Sequence, residues 1–262
     1  MKNSDYRLIG SLNMYYEKHG EHKGTPLVLL HGGGSGINTT FGRVLPELAK
    51  THWVIGIEQQ GHGHTADIDR PFSLEQMADD TAELLTQLNI SSANIFGFSN
   101  GGQVALQLAI RHPEKVQKLV LASAFYSRSG IIPELLEGWQ KSITPDDMPN
   151  LLRDEFLSIA PEGANLQDQI NKSQKMMQTF NELSTADIEG IDFPTLIING
   201  DRDVVNPEHA VDMLRHMPNA RLVILPGSHG AYIAELSTPK VTTNMPRITI
   251  EIINEFLTGL EL

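Results

Sequence analysis

Apolar residues along this chain fall into two alternating patterns. One consists of short continuous runs, such as residues 26–30, which are typical of strands buried on both faces of a sheet. The other places apolar residues three and four positions apart, as in the stretch after Ser73, and favours amphipathic helices. Together they predict strands at residues 12–17, 26–30, 53–57, 93–96, 116–124, 195–198 and 222–225. They predict helices at residues 41–48, 73–88, 103–111, 207–217 and 246–260.

The order of these elements predicts the fold class. Strands that alternate with helices form a mainly parallel, doubly wound α/β sheet with helices on both faces and right-handed crossovers. The alternation breaks at residues 126–187, where helical patterns recur without a convincing strand. We therefore expect a core of residues 1–125 and 188–262, with residues 126–187 inserted as a helical cap. The stretch at 237–244 is long for a connection and is expected at the rim of the site.

The most informative motif, GFSNG at residues 97–101, joins a predicted strand to a predicted helix. A serine in so tight a turn adopts strained backbone angles, so glycine is needed two positions before and two positions after it. The turn exposes the hydroxyl of Ser99 and directs the backbone N–H of Asn100 toward the same space. The motif therefore predicts Ser99 as a nucleophile and Asn100 as an oxyanion donor.

A serine nucleophile needs a base, and the base needs an acid that orients it. In sheets of this kind, such groups gather at the carboxyl ends of the strands. Asp201 and Asp203 follow one predicted strand, and His229 follows the next. The order Ser99, aspartate, His229 is one of the known chain orders of a Ser-His-Asp triad. We expect Asp203 to be the acid.

A second oxyanion donor is expected from the glycine-rich loop at residues 31–36, HGGGSG. This loop follows the strand at 26–30, and its glycines let the backbone approach a substrate closely. A phosphate-binding loop is disfavoured because the segment has neither lysine nor P-loop spacing. We expect Gly33 to donate its N–H and His31 to brace the loop by hydrogen bonding.

Composition narrows the chemistry further. The 262 residues are 40% hydrophobic and 20% charged, which is ordinary for a globular protein. The formal net charge of −12 gives no electrostatic support to binding of nucleic acid or a membrane surface, and favours a neutral substrate. The chain has no cysteine, and His62 and His64 lack further ligands at helical spacing, so no metal or other cofactor is expected. It has no apolar leader and no run long enough to span a bilayer, which favours a cytoplasmic protein.

Taken together, these motifs resemble those of the α/β-hydrolase superfamily over nearly the whole chain. The resemblance implies a mainly parallel sheet of about eight strands with an inserted cap, and a Ser-His-Asp triad. It also implies an oxyanion donor directly after a His-Gly pair, here Gly33, and an acid three residues after the glycine that ends its strand, here Asp203. One departure is Glu58, which stands where the family often has aspartate. Gln60 stands where arginine is frequent.

The predicted function is hydrolysis of a small neutral carboxylic ester, or a related acyl bond, through an acyl-enzyme. Dehalogenases and epoxide hydrolases of this fold carry an aspartate nucleophile, so Ser99 disfavours both. Hydrolases of meta-cleavage products share the triad and a similar glycine-rich loop. They are the alternative, together with lactonases and perhydrolases. A relative that only binds ligands is less favoured, because no triad member is missing.

We expect a monomer or homodimer that acts on a small molecule. Candidate substrate contacts come from the glycine-rich loop, the expected cap and the segment after His229. They are Gly34, Trp139, Phe156, Met177 and Tyr232.

Overall fold

An eight-stranded sheet organises the part of the chain that the computed structural model describes, residues 3–238 and 243–259. Its strands are β1 (Asn3–Ile9), β2 (Leu12–His19), β3 (Leu27–Leu30), β4 (Val54–Ile57), β5 (Ala93–Phe98), β6 (Val116–Ala122), β7 (Thr195–Arg202) and β8 (Ala220–Ser228). Their order in the sheet is β1-β2-β4-β3-β5-β6-β7-β8. The β1–β2 and β2–β4 pairs are antiparallel, and every other pair is parallel.

Ten α-helices lie in the described part of the chain, and six of them cover the two faces of this sheet. The ten helices are α1 (Ile37–Phe41), α2 (Leu45–Thr51), α3 (Leu74–Gln87), α4 (Asn100–Arg111), α5 (Pro133–Gln140), α6 (Asn150–Ile159), α7 (Leu166–Thr179), α8 (Thr185–Glu189), α9 (Pro207–His216) and α10 (Met245–Thr258). Helices α3, α4 and α9 pack on one face, and α1, α2 and α10 pack on the other. Strand residues alternate between the two layers: Val28 and Leu30 join the first, and Leu27 and Leu29 join the second. Because both faces are buried, the strands are continuously apolar in sequence.

The expected sheet of about eight strands with helices on both faces is confirmed, and one of its strands was not predicted. β1 lies at the edge of the sheet, and most of its residues are exposed, so it has no continuous apolar run. The last helix, expected to end at residue 260, ends at Thr258. Residues 239–242 of the expected rim loop lie outside the described residues.

A helical segment, residues 126–194, connects β6 to β7 and contains α5, α6, α7 and α8. Among the described residues, its only strand-like contact is a single β-bridge between Ile131 and Val205, which ties the start of the segment to the connection after β7. Phe156, Leu166 and Ile170 form a small apolar cluster of its own. Within the described residues, no helix of this segment or of the rest has the length and apolar content needed to cross a bilayer.

The turn between β5 and α4 brings three backbone segments unusually close together. Ser99 adopts φ 53° and ψ −118°, a region that residues with side chains rarely occupy. A Cβ atom on Gly101 would lie 2.1 Å from the carbonyl oxygen of Leu30 in β3. A Cβ atom on Gly97 would lie 2.2 Å from the carbonyl oxygen of Gly101. The turn therefore needs glycine at both positions, because α4 begins in direct contact with the sheet backbone.

Substitution of Gly101 tests this close approach. Gly101→Ala must move α4 away from β3, and overpacking of this kind typically costs about 1–3 kcal/mol of unfolding free energy, and more where only backbone can give way. The matched control is Gly138→Ala in α5, where an added Cβ meets nothing within 4 Å. It is expected to stabilise the protein by roughly 0.5–1 kcal/mol. Urea unfolding measures both, and equal stability of the two variants would contradict the packing described.

Candidate active site

Ser99, Asp203 and His229, predicted from separate strand ends, meet at one edge of the sheet. Ser99 follows β5, Asp203 follows β7 and His229 follows β8. His229 Nε2 lies 3.0 Å from Ser99 Oγ, and His229 Nδ1 lies 2.6 Å from Asp203 Oδ1. An ionised carboxylate only accepts hydrogen bonds, so Nδ1 carries the ring proton. In the neutral ring, Nε2 is then free to accept the hydroxyl proton of Ser99.

The side chain of Asp203 is fully buried, and its charge is held by several donors. Burial by itself raises the pKa of this carboxyl, but the hydrogen bond from His229 and further donors outweigh it and hold the pKa below its usual value. Ser123 Oγ donates to Asp203 Oδ2 at 2.5 Å. The backbone N–H of Val204 donates to Asp203 Oδ1 at 2.7 Å, and that of Val205 at 3.3 Å. The carboxylate is therefore ionised and fixed in orientation.

Tyr232 supports this network from below and does not contact the space in front of Ser99. Its side chain is fully buried, and its hydroxyl lies 2.5 Å from Ser123 Oγ. Because the single hydroxyl proton of Ser123 goes to Asp203, Tyr232 donates to Ser123. Burial raises the pKa of Tyr232, which keeps this donor protonated. Tyr232, expected as a substrate contact, is therefore not among the described residues that line the cavity, and its position makes it a support for Asp203.

Two backbone N–H groups beside Ser99 are unused within the described part of the chain. Gly33 and Asn100 both line the cavity in front of Ser99, and a Cβ on Gly33 would lie 3.7 Å from the Cβ of Asn100. The N–H groups of the residues directly before them are occupied: that of Gly32 donates to Thr40 Oγ1 and that of Ser99 to the Ala122 carbonyl. Gly33 and Asn100 are thus available to stabilise a developing negative charge next to Ser99.

The glycine-rich loop is braced by His31, as the sequence predicts. His31 Nδ1 lies 2.8 Å from the carbonyl oxygen of Gly32, so Nδ1 carries the proton. His31 Nε2 accepts the backbone N–H of Gln59 at 3.1 Å. Burial, and to a lesser extent the neighbouring His62, lowers the pKa of His31 to about 3, so the ring is neutral. It is a structural brace between two loops and has no contact with Ser99.

A cavity of about 330 Å³ opens in front of Ser99 and His229, between the sheet edge and the helical segment. Of the expected substrate contacts, Gly34, Trp139 and Met177 line it. Most of its other walls are apolar side chains from α5, α7 and nearby connections. These are Phe125, Leu135, Ile143, Met148, Ile170, Met176, Val204 and Val205. A cavity of this size and character suits a small organic molecule.

Phe156, also expected at this cavity, lies elsewhere. It is buried on α6 against Leu166 and Ile170 in the apolar cluster of the helical segment. Its other side lines a separate cavity of about 260 Å³ between the helical segment and residues 61–67. The helical spacing of apolar residues shows that a side chain is buried, but it does not show which of two neighbouring cavities that side chain lines. For this reason the sequence did not predict the position of Phe156.

Five polar side chains of the cavity were not predicted from the sequence: those of Asn100, Gln103, Gln169, Ser173 and Gln174. Gln103 stands in an otherwise apolar stretch of α4, and this break in the pattern was a usable signal. Gln169 has no comparable signal, because α7 is rich in polar residues. No Asp, Glu, Lys or Arg is among the described residues that line the cavity.

Asp201, the other candidate acid, is hydrogen-bonded to Gly227, whereas His229 is paired with Asp203. Asp201 Oδ1 accepts the backbone N–H of Gly227 at 2.8 Å, which ties the ends of β7 and β8 together. Glu58 likewise has a local structural role, because its Oε2 accepts the backbone N–H of His64 at 2.6 Å. Within the described ranges, no group of three or more His, Asp or Glu side chains is arranged to hold a metal ion.

Comparison with known proteins identifies the family of this chain. The family model described as alpha/beta hydrolase fold matches residues 25–236. The pimeloyl-[acyl-carrier protein] methyl ester esterase of Nitrosomonas europaea is 30% identical, over 83% of this chain and 92% of that protein. A putative carbamate hydrolase, RutD, of Pseudomonas savastanoi pv. phaseolicola is 27% identical, over 86% of this chain and 94% of that protein.

Solved structures show the same fold. A meta-cleavage product hydrolase from Pseudomonas fluorescens IP01 superposes with a TM-score of 0.78 at 23% identity, covering 96% of this chain and 97% of that one. At that identity the similarity concerns the fold. The family match spans most of the chain, and the full-length relatives are named as hydrolases. The chain therefore belongs to the α/β-hydrolase family and is a hydrolase.

Proposed function

We propose that this protein is a serine hydrolase that cleaves small neutral carboxylic esters through Ser99, His229 and Asp203. The observation that carries the proposal is His229, whose two ring nitrogens lie 3.0 Å from Ser99 Oγ and 2.6 Å from Asp203 Oδ1. Both distances are within the range that proton transfer and orientation of the base require. A ligand-binding relative without turnover would not need this pairing.

In the proposed reaction, Ser99 Oγ attacks the ester carbonyl carbon while His229 Nε2 takes the hydroxyl proton. The N–H groups of Gly33 and Asn100 stabilise the oxyanion, and Asp203 stabilises the imidazolium. When the C–O bond of the ester breaks, His229 gives its proton to the departing alcohol, which leaves an acyl group on Ser99. Water, deprotonated by His229, then attacks the acyl-enzyme, and His229 returns that proton to Ser99 Oγ as the acid is released.

The uncharged cavity favours a neutral ester over the meta-cleavage alternative. A meta-cleavage dienoate carries a carboxylate, and burial of that charge without a cationic partner is costly. Neither Lys nor Arg is among the described residues that line the cavity. The esterase from Nitrosomonas europaea, which by its name acts on a methyl ester, is consistent with the same interpretation. Lactone hydrolysis and perhydrolysis use the same nucleophile, so only a comparison of substrates distinguishes these reactions from ester hydrolysis.

The helical segment supplies much of the cavity wall, including Trp139 and Met177. We propose that this segment acts as a cap that sets the preference for acyl and alcohol groups. A cytoplasmic location and a monomeric or homodimeric state stay predictions from the sequence. No cofactor enters the proposed reaction.

A substrate panel tests the proposed function. We expect hydrolysis of short p-nitrophenyl esters, with slower reaction of a lactone and of a meta-cleavage dienoate. Ser99→Ala removes the nucleophile and is expected to lower kcat by roughly 10⁴-fold or more. Initial rates with equal enzyme concentrations measure both. A higher kcat/KM for the dienoate would replace the esterase assignment, and unchanged ester hydrolysis by Ser99→Ala would exclude Ser99 as the nucleophile.

A matched pair of aspartate variants tests the acid. Asp203→Asn keeps the shape but loses the charge that orients His229, so we expect kcat to fall by about 10³- to 10⁴-fold. Asp201→Asn, two residues away, keeps an oxygen that accepts the Gly227 N–H and is expected to change kcat less than about threefold, within the scatter of a surface substitution. Steady-state kinetics with one ester measures both variants. The reverse ranking would move the role of the acid to Asp201.

A further inference from the structure

Three buried side-chain amides line the cavity without a donor to their oxygen atoms among the described residues. They belong to Asn100 and Gln103 of α4 and to Gln169 of α7, so they approach from the sheet side and from the helical segment. Each residue is at most 6% exposed. Within the described ranges, their oxygens accept no hydrogen bond: Asn100 Oδ1, Gln103 Oε1 and Gln169 Oε1. A buried amide oxygen in this state has lost water without a replacement, so a bound molecule that donates to it is favoured.

The orientation of the Gln169 amide is fixed by its other end. Gln169 Nε2 donates to the carbonyl oxygen of Gly61 at 2.6 Å. A carbonyl oxygen only accepts, so rotation of the amide by half a turn would place two acceptors against each other. Gln169 Oε1 is therefore an acceptor that needs a donor. Gln103 has no such anchor within the described residues, so its amide can present either its oxygen or its NH₂ group.

The charges around these amides define which donor fits. No ionisable side chain other than His229 is among the described residues that line the cavity. A cationic donor such as an ammonium group would be buried there without a counter-charge, which is unfavourable. A hydroxyl or a primary carboxamide donates to an amide oxygen and stays neutral. The apolar walls next to the amides, including Met176 and Met177, suit the carbon chain that carries such a group.

We propose that the cavity selects neutral esters whose acyl or alcohol part carries a hydroxyl or carboxamide group away from the scissile bond. Gln169, on α7, accepts a hydrogen bond from that group, and Gln103, on α4, pairs with it from the sheet side of the cavity. Both residues determine specificity, because a site built to bond a polar group discriminates against the analogue that lacks it. This inference rests on the proposed ester hydrolysis and names the class of ester.

The test compares p-nitrophenyl esters of heptanoic acid, 6-hydroxyhexanoic acid and adipic acid monoamide, which are similar in length. We expect the wild-type protein to have a kcat/KM at least about tenfold higher for the two polar esters than for the heptanoate. Gln103→Met and Gln169→Met replace an amide by an apolar chain of similar size. Each is expected to lower that ratio at least about fivefold, by loss of the hydrogen bond.

Gln107→Met is the matched control, because Gln107 lies one turn further along α4 and is not among the described residues that line the cavity in front of Ser99. It is expected to keep the wild-type ratio. Thermal unfolding gives a second measurement. Gln103→Met removes an amide that has no partner, so it is expected to melt at or above the wild-type temperature. A melting temperature well below that of the wild type would contradict the view that this amide is unpartnered.

The outcomes separate this inference from the proposed function. Equal kcat/KM for the three esters, or a ratio that Gln103→Met and Gln169→Met leave unchanged, would overturn the inference while ester hydrolysis stands. Failure to hydrolyse any of the three would overturn the proposed function, and this inference with it.

Discussion

The direct contact between the first turn of α4 and the backbone of β3 is the constraint on which the site depends. Without side chains at Gly97 and Gly101, the helix begins immediately after Ser99, and Ser99 takes a backbone conformation that is otherwise unfavourable. The hydrogen bond from the Ser99 N–H to the Ala122 carbonyl fixes the turn to the end of β6. One rigid turn thus presents the Ser99 hydroxyl, the Asn100 N–H and the Gln103 amide to a single cavity.

The second requirement is a buried negative charge that stays ionised. An isolated carboxylate at the position of Asp203 would take up a proton, because burial raises its pKa. Donors from His229, Ser123 and the backbone reverse that tendency. Ser123, directly after β6, has a φ of 49°, so a serine in a rarely occupied backbone conformation supplies one of these donors. His229 is 30% exposed at the cavity, which leaves its Nε2 accessible to a substrate.

Much of this arrangement could be predicted from the sequence, because its parts depend on local patterns. Buried parallel strands need continuous apolar runs, and the turn at Ser99 needs glycines, so both are visible in the residue order. The carboxyl ends of parallel strands lie on one edge of the sheet, so the positions of Asp203 and His229 after their strands were enough to predict that they meet Ser99. The edge strand β1 is polar over most of its length, so it has no continuous apolar run and was not predicted.

The rest depends on contacts between distant residues that have no local signature. Phe156 and Tyr232 are aromatic residues in segments that the sequence predicts to surround the site. Phe156 nevertheless packs inside the helical segment, and Tyr232 lies beneath Asp203. Nothing in the sequence around Ser123 indicates its role, because that role depends on a hydrogen bond to Asp203, which is 80 positions away. Gln169 likewise has no local signal, because the orientation of its amide depends on a hydrogen bond to the distant carbonyl oxygen of Gly61.

Covalent labelling tests the central claim, that Ser99 is an activated nucleophile. The native protein is incubated with a fluorophosphonate, and its intact mass and digested peptides are measured. We predict one adduct per chain, located on Ser99, and strongly slowed labelling in His229→Ala, because the serine is then no longer deprotonated by the ring. Absence of an adduct on the folded wild-type protein, or an undiminished adduct on Ser99→Ala, would contradict this claim.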